Sequence, residues 1–135
     1  MASKPPRRRV LIIEDEPSIR NILYVLLAGI GCDAETATSG TQALALVERE
    51  KFDALLLDLR CLNVKPEEVV GGVQRIRPSL IGRVLVVTGE VADQQALDLI
   101  ERNFLLHVPR NRLEEVKGIV SAMLTIAPLP KTPSL

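Results

Sequence analysis

Three short, almost purely aliphatic runs, Val10 to Ile13, Ala54 to Leu57 and Arg83 to Val87, constrain this chain more than any other feature. A strand with one wet face alternates apolar and polar residues, whereas a strand that is apolar throughout is buried on both faces, as in a parallel sheet covered by helices on each side. Two weaker runs, Asp33 to Thr36 and Phe104 to Val108, bring the expected strands to five. Segments of helical period lie between them, so the expected class is α/β with a doubly wound parallel sheet.

The first intervening segment places Ile19, Ile22, Leu23, Leu26, Leu27 and Ile30 at three- and four-residue steps, on one helical face. Pro17 suits its first turn and Gly31 its end. A second helix opens at Thr41 behind a capping box, in which Ser39 accepts from the N–H of Gln42 and Gln42 reaches back, and runs to Arg49. A third is expected from Pro66 to about Arg75, weakened by Gly71 and Gly72, and a fourth from about Ala92 to Arg102. A fifth is expected from Arg112 to Leu124 with Asn111 as its N-cap.

At 135 residues the chain has the size of one domain with one core, and with 2% aromatic residues that core must be aliphatic. We divide it into a flexible basic arm over residues 1–8, a folded domain over 9–125 and a proline-rich tail over 126–135. Zero net charge gives no pull toward nucleic acid or an anionic membrane. The basic lead of Lys4, Arg7, Arg8 and Arg9 lacks interleaved aromatics and reads as solvated rather than as a nucleic-acid contact. Cys32 and Cys61 have neither disulfide density nor metal spacing, the N-terminus has no secretory apolar region, and no apolar run approaches a membrane span, so a cytoplasmic location is expected.

Chemistry gathers at the strand ends. Glu14 and Asp15 follow the first strand, Asp58 the third and Thr88 the fourth, and in a doubly wound sheet these carboxyl ends form the ligand-binding edge. Carboxylates crowded there must bind a cation, share protons or shift in pKa. An all-oxygen site suits Mg²⁺, and a carboxylate beside Mg²⁺ can act as a nucleophile toward phosphorus. Glu16, before Pro17, reads as a loop carboxylate or helix cap.

Val10-Leu11-Ile12-Ile13-Glu14-Asp15-Glu16-Pro17 resembles the opening of response-regulator receiver domains, Leu55-Leu56-Leu57-Asp58-Leu59 their phosphoacceptor strand, and Val84-Leu85-Val86-Val87-Thr88-Gly89 their threonine strand. The resemblance runs from about Arg9 to Leu124. It implies a flavodoxin-like fold with strand order 2-1-3-4-5 and a two-component signalling role that is not that of an enzyme. Asp58 would be the phosphoacceptor, with Mg²⁺ held directly by Asp15 and Asp58, through water by Glu14, and by the backbone carbonyl of Arg60. The Thr88 hydroxyl would bond the phosphoryl group, Gly89 would leave the approach open, and Phe104 would be the switch aromatic. A histidine kinase, phosphotransfer protein or small phosphodonor would supply the phosphoryl group, and an unnamed protein effector would read it on the α4-β5-α5 face. No nucleic acid or membrane is expected to bind this domain.

The family's lysine after strand five is missing here. Counting from Phe104 places His107 there, counting from Thr88 favours Arg110, and anchoring on Pro109 leaves Val108. Arginine can make a two-pronged phosphate contact, neutral histidine one hydrogen bond and valine none. Cys61-Leu62 replaces the usual Met-Pro, and the segment to Val73 is longer than average, which would displace the Arg60 carbonyl. Arg60 and Glu90, each two residues past Asp58 and Thr88, are expected to pair across the acceptor and gate it. A redox role for Cys61 would need exposure and a depressed pKa.

The competing reading is a degenerate receiver that binds partners without phosphorylation, for which the missing lysine argues. Enzymes on similar sheets fit worse: strand one ends without a glycine-rich turn, and Arg60 stands where an aspartate phosphatase has its second acid. No element is expected after the fifth helix, so the regulated activity is expected in a partner or in a region beyond this chain.

Overall fold

The computed structural model describes residues 7–60, 65–89 and 93–125. Along the chain run β1 (Arg8–Ile13), α1 (Pro17–Ala28), β2 (Cys32–Ala37), α2 (Gly40–Arg49), β3 (Ala54–Asp58), α3 (Pro66–Ile76), a 3-10 segment (Pro78–Arg83), β4 (Val84–Thr88), α4 (Gln94–Arg102), β5 (Leu106–Pro109), a second 3-10 segment (Arg110–Glu115) and α5 (Val116–Thr125). The strands pair in parallel in the order β2-β1-β3-β4-β5, as expected. No described helix is long and apolar enough to cross a membrane.

Period-two alternation sorts the strand side chains onto two faces. Leu11, Ile13, Leu55, Leu57, Val84 and Val86 pack with Val47 of α2, Val69 and Val73 of α3 and Leu99 of α4. Val10, Ile12, Leu56, Leu85, Val87 and Val108 pack with Leu23 and Leu27 of α1 and with Val116, Val120 and Met123 of α5. Both sets are buried, and each such side chain contributes about 1.5–3 kcal/mol over leaving it in water. This double burial is why the central strands carry no polar residue before Asp58 and Thr88.

Several boundaries differ from expectation. β1 begins at Arg8, inside the expected arm, because ion pairs hold its start: Arg7 with Asp33 at 2.6 Å, Arg8 with Asp53 at 3.6 Å, and Arg9 with Glu35 and Glu50. Met1 to Pro6 and the tail over 126–135 lie outside the described residues. Ser39 accepts from the Gln42 N–H at 3.1 Å, but the Gln42 side chain reaches Thr38, accepting its N–H at 2.8 Å, instead of Ser39. β5 starts at Leu106, not Phe104. The Leu105 N–H bonds back to the Ile100 carbonyl at 2.9 Å, so the end of α4 closes through Phe104, which has φ +55°. Asn111 does not cap α5. Leu113 and Val116, three residues apart, are both buried, a spacing that suits the tighter turn preceding the helix.

The glycines of α3 are not equivalent. A Cβ on Gly71 would meet nothing within 4 Å, whereas one on Gly72 would lie 2.6 Å from Leu44 Cδ2, so Gly72 lets α2 and α3 approach. Gly71→Ala is expected to raise stability by about 0.5–1 kcal/mol through helix propensity. Gly72→Ala should lose that gain to the displaced Leu44; a urea titration showing equal gains would contradict this.

Candidate functional site

Strand register builds the site. Ile13 stands opposite Leu57, so Glu14 comes level with Asp58; Asp58 stands opposite Val87; and Thr88 stands opposite Pro109, so Arg110 enters along the same edge. Glu14, Asp58 and Thr88 are buried there, the first two at 1% and 2% exposure.

Asp58 is bound on both oxygens. Its Oδ1 accepts the Arg60 N–H at 2.9 Å, and its Oδ2 accepts from Arg110 Nη2. The Glu14 carboxyl lies against it. Burial first, then the hydrogen bond and negative charge of Asp58, push Glu14 up to about 8, while the Glu16 N–H and the Arg110 charge act the other way. The acidic crowding is therefore relieved by an arginine and by a proton held on Glu14 at neutral pH.

Of the three residues considered for the lysine position, Arg110 alone reaches Asp58. His107 stands opposite Val86 in mid-strand and is exposed, and Val108 is buried under α5. Phe104 is 89% exposed and outside the strand. The Thr88 hydroxyl donates to the Gly89 carbonyl at 3.1 Å. Glu90 and Cys61 lie outside the described residues.

Glu16 was missed. It sits at the N-cap of α1 without making a side-chain cap bond. Its Oε1 accepts from the Ser18 hydroxyl at 3.0 Å, while Oε2 lies 3.2 Å from Arg110 Nη1 and 3.6 Å from Arg60 Nη2. Its place two residues after Glu14 was the available signal.

The expected convergence of three carboxylates is found for two. Asp15 is exposed, and no group of three Asp, Glu, His or Cys side chains stands at metal-holding spacing among the described residues. Arg110 supplies the positive charge instead. A hard cation nonetheless suits the carboxylates, because Glu14 Oε2 is buried without a hydrogen-bond partner and Glu14 and Asp58 both offer oxygen ligands. Beside the site, a cleft of about 640 Å³ opens between the first turns of α3 and α4, with Arg60, Lys65, Thr88 and Gly89 in its wall.

A family model described as the response regulator receiver domain matches residues 10–110. The chain is 37% identical over 101 residues to a response regulator receiver protein of Anaeromyxobacter sp., covering 75% of this chain and 41% of that protein. It is 30% identical over 128 residues to the transcriptional regulatory protein TcrA of Mycobacterium tuberculosis, covering 94% and 50%. Among solved structures, a putative response regulator from Chloroflexus aurantiacus superposes with a TM-score of 0.78 at 20% identity, covering 90% of this chain and 100% of that one. The response regulator TrrA of Thermotoga maritima, in complex with Mg(2+)-BeF, superposes with a TM-score of 0.74 at 24% identity, covering 87% and 99%. These likenesses carry the fold. The chain spans about half or less of the length of these curated relatives. With sheet order, acidic edge and family model in agreement, the chain belongs to the response regulator receiver domain family.

Proposed function

We propose that this domain is a phosphorylation-dependent switch of a two-component system, with Asp58 as the acceptor, rather than a degenerate receiver. The observation that carries the reading is the Arg110 guanidinium on Asp58 Oδ2, a cation delivered from the end of β5 to the carboxylate that would carry the phosphoryl group. In the transfer, an Asp58 oxygen attacks phosphorus and forms the O–P bond. The bond to the donor's phosphohistidine nitrogen, or to a small donor's leaving group, breaks, and the electron pair leaves with that group. Mg²⁺, the ion in the TrrA complex, would neutralise charge developing on the phosphoryl oxygens. Asp58, Asp15, Glu14 and the Arg60 carbonyl would hold it, Asp15 turning in from the rim.

Arg110 would then grip phosphoryl oxygens with two nitrogens, and the Thr88 hydroxyl would leave the Gly89 carbonyl to donate to the third oxygen. With Arg110 in the lysine's place, the residue three before it is His107, which takes the switch position assigned above to Phe104. Leu97 of α4, Leu106 of β5 and Phe104 in the turn between them expose apolar surface and so support partner binding on the α4-β5-α5 face. The donor would be a histidine kinase or phosphotransfer protein, in the cytoplasm.

Incubation with acetyl phosphate and Mg²⁺ is expected to add one phosphoryl group by intact mass, lost in Asp58→Ala. A wild-type chain that gains no mass would overturn this reading.

A further inference from the structure

Two guanidinium groups converge on one oxygen above Asp58. Arg110 arrives from the end of β5 and Arg60 from the loop after β3, and both point at Oε2 of Glu16, from the start of α1, at 3.2 and 3.6 Å. Each arginine also touches Asp58, Arg110 through its other terminal nitrogen and Arg60 through its backbone N–H. Residues 16, 60 and 110 are far apart in sequence, so chain connectivity does not impose this meeting.

Stability explains little of it. The Glu16 and Arg60 side chains are 49% and 58% exposed, and an ion pair so wet adds little to the stability of a whole domain while still biasing a local binding competition severalfold. Glu16 does not spend its carboxylate on capping α1 either. Its position instead matches that of an anion held between two arginines at the mouth of the pocket, a geometry that suits phosphoryl oxygens better than a single carboxylate.

We propose that Arg60 and Arg110 form a two-arginine clamp for phosphoryl oxygens, and that Glu16 fills the clamp in the resting state as an internal competitor that an incoming phosphoryl group displaces. The proposal rests on Asp58 as acceptor and adds to it a second cation and a positioning acid. A phosphoryl group carries more charge and more acceptor oxygens than a carboxylate, so it outcompetes Glu16 once Asp58 holds it covalently. A free donor must first drive Glu16 off, which raises the donor concentration needed for loading. Arg60 also stands in the wall of the cleft beside Thr88 and Gly89, where a donor enters.

The test measures Asp58 loading by phosphoramidate with Mg²⁺, by intact mass, as a function of donor concentration. Glu16→Gln is expected to lower the half-saturating concentration roughly fivefold, the scale of one exposed to half-buried ion pair. Arg60→Ala should raise it, and Glu16→Gln placed on Arg60→Ala should have a smaller effect than alone; Arg60→Lys should recover part of the loss. Glu67→Gln removes the same charge from the cleft wall, where Glu67 makes no ion pair among the described residues, and should shift the half-saturating concentration less than Glu16→Gln does. A second readout needs neither metal nor chemistry: orthophosphate titrated in EDTA and followed by phosphorus NMR should bind more tightly to Glu16→Gln than to wild type, and lose that gain with Arg60→Ala.

Equal orthophosphate affinities, or equal shifts from Glu16→Gln and Glu67→Gln, would overturn the clamp. If no variant gains a phosphoryl group, the acceptor reading fails, and the orthophosphate titration still decides the clamp.

Discussion

Arg110→Ala is expected to lower stability by about 3–5 kcal/mol in metal-free buffer, the usual result of stripping one partner from a buried ion pair. Asp58 is 2% exposed and the Arg110 side chain 15%, so water cannot take over from the lost guanidinium. The Glu14 carboxyl beside Asp58 carries no positive charge with which to replace it. Two accompanying results separate this cause from general damage. Asp58→Asn combined with Arg110→Ala should recover most of the loss, because no buried charge is left unpaired. Millimolar Mg²⁺ should restore Arg110→Ala more than it stabilises wild type, because the ion then takes an unpaired carboxylate. Arg112→Ala sets the lower scale: its pair with Glu115 at 3.8 Å is exposed, and the expected cost is below about 1 kcal/mol. Urea unfolding of these variants with EDTA and with Mg²⁺ checks all of this, and an Arg110→Ala chain as stable as Arg112→Ala would refute it.

The same pair shows where sequence reading reached its limit. The central strands were legible because burial on both faces leaves runs such as Leu55-Leu56-Leu57 no alternative, and the acids ending those runs stood out against them. β5 is an edge strand, and of its four residues only Val108 is buried, so its pattern fixes neither its start nor its register. Three alignments of Phe104, His107, Val108 and Arg110 therefore stayed open. Pairing of Thr88 with Pro109 settles the geometry, because the next residue must enter the pocket edge. Glu16 escaped for a related reason: an acid before a helix proline has a ready local explanation, and its arginine partners lie far away in sequence. Details at helix ends escaped as well: Gln42 has a second local acceptor role at Thr38, and burial of Leu113 with Val116 displaced the helix start expected at Arg112.

In EDTA the domain should lose stability as pH rises from about 4.5 to about 8, opposite to the usual behaviour of a protein rich in surface carboxylates. The folded state holds Glu14 up to about 8 against a usual value of 4.5. Between those values folded Glu14 keeps a proton that unfolded Glu14 has released, so each added pH unit favours unfolding, by about 1.4 kcal/mol per unit for a full proton. The contribution is complete below the unfolded value and gone above the folded one. Glu14→Gln removes the titration while keeping a donor toward Asp58, so its stability should vary less across this window and exceed wild type at the alkaline end. Mg²⁺ should flatten the wild-type profile as well, since a cation at the pocket favours the ionised form and binding then expels the Glu14 proton. Proton release on Mg²⁺ addition, read by calorimetry in two buffers of different ionisation enthalpy near neutral pH, should therefore appear in wild type and vanish in Glu14→Gln. Parallel pH profiles for the two chains, with equal proton release, would place the buried proton elsewhere.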